Sequence, residues 1–296
     1  MATRFTDEPL HAIIAHVAAS LALGEPVELI VPDPELGRHA YPGAAIAGAL
    51  HRPWRVWTEL ADRMNARISI RTSPNGDDVM LRFELLDRER TPSRGEGSEA
   101  YGAASGFAQL KKLEDPGFVI DLREALGRAR LPSAPRVLDL GVNTGDELAL
   151  VYQAAPDAIV TGIDHAETAL VIARAHWPSA TFLQGDVAQP LPVGRFDLII
   201  AIGMMQIGNL DDRALLRRLV QNHLALTGAL ILGVPNCRYI DGEVSFGARM
   251  LNFSQPELGL VIKDIAFYRK YLQQHHLQVF VTGRNYLFVT GSSSVT

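Results

Sequence analysis

The chain has 296 residues, a formal net charge of -5, 47% hydrophobic and 21% charged residues. This is the composition of a soluble globular protein with room for one large core plus a smaller domain, and it gives no bulk electrostatic footprint for a polyanion. A single cysteine, Cys237, excludes an internal disulfide framework and a cysteine-rich metal cluster.

Near the N-terminus, "LHAIIAHVAASLALG" is too short to span a bilayer and follows Asp7 and Glu8 rather than a basic stretch. It reads as an amphipathic helix, and with the lone thiol it places the protein in the cytoplasm, away from membranes. "VELIVPD" (27–33) predicts a strand. "WRVWTELADRM" aligns Trp54, Trp57, Leu60, Ala61 and Met64 along one helical face. "ARISIRT" and "VMLRFELL" alternate, placing Ile68 and Ile70 opposite Val79, Leu81, Phe83 and Leu85, and the intervening "SPNGDD" is turn chemistry. These elements predict a small N-terminal α/β domain over 1–95, ending in the polar linker "DRERTPSRGEGSEA" (87–100). A second domain fills 96–296.

From residue 136 onward, strands alternate with helices. "RVLDLG" is followed by a helix at about 145–155, and "AIVTGID" (158–164) by one at about 166–176. "ATFLQGD" (180–186), "FDLIIAIG" (196–203), a helix over "LDDRALLRRLVQNHL" and "ALILGVP" (229–235) complete the series. Short apolar runs with little alternation suit strands buried on both faces of a parallel sheet. After the helical "KDIAFYRKYLQQH", the strands in "LQVFVTGRNYLFVTG" are separated only by Gly283, Arg284 and Asn285, so they form an antiparallel hairpin. The fold class is therefore α/β, doubly wound on a mostly parallel seven-stranded sheet that ends in an antiparallel hairpin.

The turn after the first of these strands, "GVNTGDEL", is glycine-rich but lacks a Gly-x-Gly-x-x-Gly spacing. Asp146 and Glu147 open the next helix, where carboxylates repel a pyrophosphate, and Thr144-x-x-Glu147 fits a capping box. NAD, FAD and nucleoside phosphates are thereby disfavoured, and no Gly-Lys-Ser/Thr follows for a P-loop. A cationic adenosyl ligand without phosphate fits better, with Gly141 and Gly145 allowing close backbone approach and Asp139 near its positive end.

"VLDLGVNTG" resembles the first motif of class I S-adenosylmethionine-dependent methyltransferases, with Asn143 in place of the middle glycine. The resemblance covers roughly residues 100–296 and implies S-adenosylmethionine as cofactor. It implies a cofactor site of Asp139, Gly141, Asn143, Gly145, Asp164, His165, Asp186, Val187 and Ile202. Asp164, 19 residues after Gly145, takes the place of the family's ribose acid, and Asp186 that of the residue at the adenine amino group. His165 is expected to pack against the cofactor rather than to act as a base. Each residue also has a plainer reading: Asp164 as a helix cap, Asp186 as a turn residue, the glycines as turn geometry alone.

In open α/β sheets ligands sit at the carboxyl ends of the strands. That selects Met204, Met205 and Gln206 after the fourth strand and Asn236, Arg238 and Tyr239 after the fifth as lining candidates, each with a rival reading as a loop anchor. Tyr101, Phe107 and Lys111, in "YGAASGFAQLKKLEDPGF", are candidates for a helix covering the cofactor, as in related enzymes, with a simple connecting helix as the rival reading. No Asn-Pro-Pro-aromatic motif follows the fourth strand, Cys237 does not sit in a cytosine-methylase motif, and the nine histidines make no ligand constellation, so no metal is expected. No catalytic base is identifiable.

The resemblance points to methyl transfer onto a small molecule by in-line displacement. Two other readings stay open: an RNA (tRNA) or protein methyltransferase, in which the 24 arginines among 28 basic residues contact phosphate, and a non-catalytic S-adenosylmethionine-binding homologue. The sequence carries no signal for the acceptor or the oligomeric state.

Overall fold

A computed structural model describes residues 2–37, 40–72, 76–86, 111–208, 210–240, 243–245 and 261–293; for Thr72 and the strands at 238–240 and 243–245 it describes the backbone alone. The chain divides into two compact units, Met1–Glu89 and Arg90–Thr296. The linker at 87–100 and the expected boundary at 95 lie outside the described residues.

The first unit contains β1 (Thr3–Arg4), α1 (Leu10–Ala22), β2 (Val27–Pro32), the short pair β3 (Ala45–Ile46) and β4 (Ala49–Leu50), α2 (Trp54–Arg63), β5 (Ala66–Thr72) and β6 (Asp78–Leu85). Its four-stranded sheet has the order β1-β2-β6-β5, with β1 parallel to β2 and the rest antiparallel. Alternation puts Val27, Leu29, Val31, Val79, Leu81 and Phe83 on one face. There they meet Ile13, Val17 and Leu21 of α1 and Trp57, Leu60 and Ala61 of α2 in a single core. The β5–β6 hairpin forms with Ile68 opposite Phe83 and Ile70 opposite Leu81. Ile70 and Leu85 are nonetheless exposed. Their period-2 positions are on the apolar face, but Ile70 lies on β5, the edge strand among the described residues, and Leu85 lies at the end of β6, beyond Phe83, the last β6 residue paired with β2.

The described part of the second unit opens with a 3-10 turn (Lys112–Glu114) and α3 (Pro116–Ala129). Asp115 caps α3, accepting from the amides of Gly117 (2.8 Å) and Phe118 (3.3 Å), Pro116 occupies the first helical position, and Arg130 ends the helix in the left-handed region. There follow β7 (Arg136–Leu140), α4 (Leu148–Ala154), β8 (Ile159–Asp164), α5 (Glu167–His176), β9 (Thr181–Gln184), β10 (Phe196–Ile202), α6 (Asp212–Arg218), β11 (Leu224–Pro235), the small pair β12 (Arg238–Ile240) and β13 (Glu243–Ser245), α7 (Val261–Gln274), β14 (Leu277–Thr282) and β15 (Tyr286–Ser293).

The seven-stranded sheet has the order β14-β15-β11-β10-β7-β8-β9. β7 to β11 are parallel, β15 runs antiparallel to β11, and β14 antiparallel to β15. Successive strand residues face opposite layers. Val137, Leu198 and Ile200 pack with Phe118, Leu122, Leu148, Val151 and Leu170 on one side. Leu138, Leu140 and Ile199 pack with Leu215, Leu216, Tyr268 and Leu272 on the other. Two buried faces explain why these strands lack polar alternation.

One expected helix differs. The segment over 210–224 is α-helical only to Arg218, then makes a π-helical turn (Leu219–His223), and β11 begins at Leu224, five residues before the expected strand. Leu224 is buried and pairs with Phe196 across a register irregularity, while the Arg195 guanidinium bonds the carbonyl oxygens of Leu224 and Gln221. The tertiary pairing outweighs the helical period. Among the described residues no helix is long and apolar enough to cross a membrane.

Candidate functional site

The site is built where β7, β8, β9 and β10 end. After β7 the chain turns through Gly141 (φ 70°), Asn143 (φ 49°) and Gly145 (φ 75°), three left-handed residues alternating with two ordinary ones. Asn143 therefore adopts the backbone for which the middle glycine is otherwise suited, and Asn enters this region more readily than most residues. Its side chain is committed locally, Oδ1 accepting from the Thr144 amide at 2.9 Å. At Gly145 a side chain is disfavoured twice over, by the positive φ and by the Trp177 ring, 3.0 Å from where a Cβ would stand. Trp177 Nε1 donates to the Gly145 carbonyl at 2.8 Å, and its ring stacks on Tyr152.

Asp164, at the end of β8, accepts from the Asn143 amide at Oδ2 and the Ala166 amide at Oδ1, both 2.9 Å, and His165 Nδ1 lies 3.3 Å from Oδ1. The carboxylate thus pins the glycine loop to the second strand. A carboxylate has about four lone-pair positions, so further acceptor capacity remains. His165 itself is exposed. Asp186, exposed after β9, accepts from the Ala188 amide at 2.8 Å, the geometry of an Asx turn. Arg218 fixes the same loop through the carbonyls of Val187 and Ala188. Val187 is half-buried against the core, and Ile202 is buried at the end of β10.

Asp139 is 1% exposed and its Oδ2 has no partner. Burial drives its carboxyl well above the usual carboxylate range, with Glu147 and Asp164 adding to the effect and Lys112 opposing it. Lys112 is the cation that sequence reasoning missed. Its Nζ stands 2.9 Å from Glu147 Oε1 and above the Phe118 ring. Burial opposes its charge, but Glu147, Tyr286 and Asp139 outweigh that and hold its pKa above the ordinary lysine value. Tyr286, packed edge-on against Phe118, has its hydroxyl pKa raised by burial, with Lys112 pulling it back.

Two expectations about the acidic helix start need correction. Thr144 and Glu147 form no capping box: Thr144 Oγ1 donates to Asp146 Oδ1, Glu147 pairs with Lys112, and α4 has no side-chain cap. The two carboxylates are also not an uncompensated repulsive pair, because Lys111 meets Asp146 at 3.3 Å and Lys112 meets Glu147. The only clue was two adjacent lysines and two adjacent acids at the same separation along the chain, and nothing in the intervening sequence marks them as partners.

Of the lining candidates, Met204 and Met205 are buried, and Met204 Sδ lies 3.4 Å from the Cβ position of Gly141. Gln206 is buried, with Nε2 donating to Tyr268 Oη at 3.0 Å. Tyr268 in turn donates to Asp212 Oδ2 at 2.6 Å, which sets the amide's orientation and leaves its Oε1 without a partner. Asn236 anchors the turn before β15, bonding the carbonyls of Asn285 (2.8 Å) and Arg284 (3.1 Å), while Asn285 reaches the α3 cap Asp115 at 3.0 Å. Gln206 and Asn236 are thus joined to structural partners, as their reading as loop anchors requires. Lys111 is exposed and paired with Asp146. Tyr101 and Phe107 lie outside the described residues, and Arg238 and Tyr239 are placed only as backbone of β12. Cys237 is buried. Among the described residues no group of three potential metal ligands occurs.

An adenosyl amino acid fits this arrangement. The loop offers a cradle with no side chain at Gly141 and Gly145, Asp139 a buried oxygen lacking a donor, and Asp164 spare acceptor capacity at the adjacent strand end.

Residues 137–227 match a family model described as a methyltransferase domain. The curated relatives include the trans-aconitate 2-methyltransferase of Azoarcus sp. (strain BH72), 34% identical over 113 residues, which are 38% of this chain and 44% of that protein. The trans-aconitate 2-methyltransferase of Variovorax paradoxus (strain S110) is 37% identical over 117 residues, 39% of this chain and 44% of that protein. The chain thus spans less than half the length of these relatives. Among solved structures, an O-methyltransferase family protein from Burkholderia thailandensis superposes with a TM-score of 0.48 at 17% identity, over 64% of this chain and 59% of that one.

Proposed function

With residues 137–227 a methyltransferase domain, we propose that the protein uses S-adenosylmethionine to methylate a small-molecule acceptor, with a small organic acid the first candidate. The observation that carries this reading is the loop Gly141–Gly145, left-handed at three alternate residues, between the unpartnered carboxylate oxygen of Asp139 and the loop-pinning Asp164. When bound, the cofactor supplies an activated methyl group. The chain's part is then chiefly positioning, which brings reacting atoms to roughly 3–3.5 Å. Asp139 receives the ligand's ammonium, Asp164 its ribose hydroxyls, and Asp186, Val187 and Ile202 flank its base. Lys112 keeps Glu147 from competing for the ammonium. The organic-acid acceptor is supported by the relatives named for trans-aconitate, and a chain with net charge -5 gives tRNA no matching field.

Calorimetric titration of S-adenosylmethionine and S-adenosylhomocysteine tests the cofactor half: both bind, and Asp164→Ala weakens both by about tenfold or more through loss of a charge-assisted contact. Unchanged affinity in that variant means that the ribose is misplaced. Methyl-labelled cofactor offered with trans-aconitate, related di- and tricarboxylates, tRNA and cell protein tests the acceptor. Label appearing in tRNA or protein alone overturns the small-molecule reading.

A further inference from the structure

The N-terminal unit contains a second cluster that the methyl-transfer site does not use. The segments entering its two helices lie side by side. Leu50 N donates to the Thr6 carbonyl at 2.9 Å, and the Arg52 guanidinium Nη2 to that of Glu8. One residue further on, each segment reaches a proline, Pro9 before α1 and Pro53 before α2. Neither proline can cap through its side chain, and neither helix has a side-chain cap or an acidic residue in its first turn. At a helix start the exposed amides and the macrodipole favour negative charge, and Asp or Glu is the usual occupant. Here the first turns instead present His11 and Arg55, both exposed. Two helix starts and two basic side chains therefore lie on neighbouring segments, with no acidic residue in either first turn.

Arg52 sharpens the point. It is 6% exposed, and while Nη2 bonds the Glu8 carbonyl, Nη1 is shielded from solvent and has no acceptor. Burial lowers its pKa from the ordinary arginine value, and Glu8 only partly opposes this without forming a salt bridge. Each carboxylate described in this neighbourhood accepts a hydrogen bond from a group other than Arg52. Glu8 Oε2 accepts from the Thr6 amide at 2.7 Å, Asp7 Oδ1 from the Thr6 hydroxyl at 3.1 Å, and Glu35 Oε1 from Trp54 Nε1 at 2.9 Å. A buried guanidinium without a carboxylate partner is a costly arrangement unless an anion completes it.

We propose that the paired starts of α1 and α2, with the Arg52 guanidinium between them, bind a small oxyanion: a carboxylate or phosphate group held by the helix-start amides, Arg52 and Arg55. Paired helix ends and an arginine fork are a receptor for oxygens of either group. The site is complete within the N-terminal unit and does not depend on the methyl-transfer reading.

The test titrates the full-length protein with inorganic phosphate and, separately, with citrate by calorimetry, at an ionic strength held constant with sodium chloride. Saturable binding of one equivalent is expected for at least one of them. Phosphate alone or citrate alone assigns the ligand class, and both assign a general oxyanion site. Arg55→Glu, an exposed change, is expected to weaken binding by about tenfold or more, and Arg52→Lys to weaken it by removing the fork. Affinity for S-adenosylmethionine, measured on the same samples, is expected to stay unchanged. Absence of saturable binding to the wild type, or undiminished affinity in Arg55→Glu, overturns the proposal, and the second criterion holds even if Arg52→Lys does not fold.

Discussion

Replacing Lys112 by Met is the most informative perturbation of the glycine-loop site. Lys112 pairs with Glu147 at 2.9 Å, with side-chain exposures of 22% and 4%, and it is the cation opposing the upward push on the Asp139 carboxyl. Removing one partner of a buried pair costs ~3–5 kcal/mol because the other charge is left behind. The partial exposure of Lys112 places this case at the low end, about 3 kcal/mol. For a unit of this size 1 kcal/mol shifts the midpoint by roughly 2–4 °C, so the variant should melt roughly 6–12 °C lower at pH 8. The loss should also depend on pH, with a definite sign. Asp139 is an acid whose folded pKa lies above its unfolded one, so it favours the fold at low pH and costs stability as pH rises through the folded value. Without Lys112 that pKa climbs further, and the penalty seen at pH 8 should shrink toward pH 4, near the ordinary carboxylate range. Adding Glu147→Gln should recover most of the loss, since a neutral pair no longer strands a charge. Urea unfolding followed by circular dichroism at several pH values reads all of this. A loss below about 1 kcal/mol that is flat with pH would refute the view that Lys112 neutralises a buried acidic cluster.

Two further predictions concern the same loop. Asn143→Gly should leave stability within about 0.5 kcal/mol, because φ 49° suits glycine, whereas Asn143→Val should lose roughly 1–2 kcal/mol by forcing a branched residue into the left-handed region. Equal stability of the two variants by urea unfolding would contradict the backbone assignment. The affinity for S-adenosylmethionine should rise with pH above the ordinary carboxylate range, because Asp139, whose carboxyl holds its proton more tightly than usual, must lose it to hold an ammonium. Asp139→Asn should flatten that profile, and a flat wild-type profile by calorimetry would remove Asp139 from the ammonium site.

The parts of the fold that were readable in advance are those governed by local period and connection length. Five parallel strands announced themselves as short apolar runs, and the three-residue link at 283–285 could only close a hairpin, which the β14–β15 pairing bears out. The start of β11 was not readable, because Leu224 joins the sheet through a partner far away in sequence, Phe196, and through the Arg195 guanidinium. Ile70, on the edge strand β5, shows the same limit from the other side. Alternation names the face of a strand, but only the strand order says whether that face is covered.

The charge balance of the site shows most plainly what one-dimensional reading omits. Asp146 and Glu147 at a helix start argue against phosphate only while they stand alone, and in the fold each meets a lysine from the segment before α3. The case for a cationic ligand therefore moves inward, to Asp139. That residue is buried at the end of β7 with one oxygen unpartnered, and it shares the ammonium of Lys112 with Glu147. A bound phosphate would add negative charge beside Asp139 and Asp164, whereas a ligand ammonium supplies the donor that Asp139 lacks. Asn143 belongs to the same logic. Its amide holds Asp164 while its left-handed backbone completes the cradle, so a residue that departs from the glycine pattern still performs the glycine's conformational task and ties the loop to the acid that pins it.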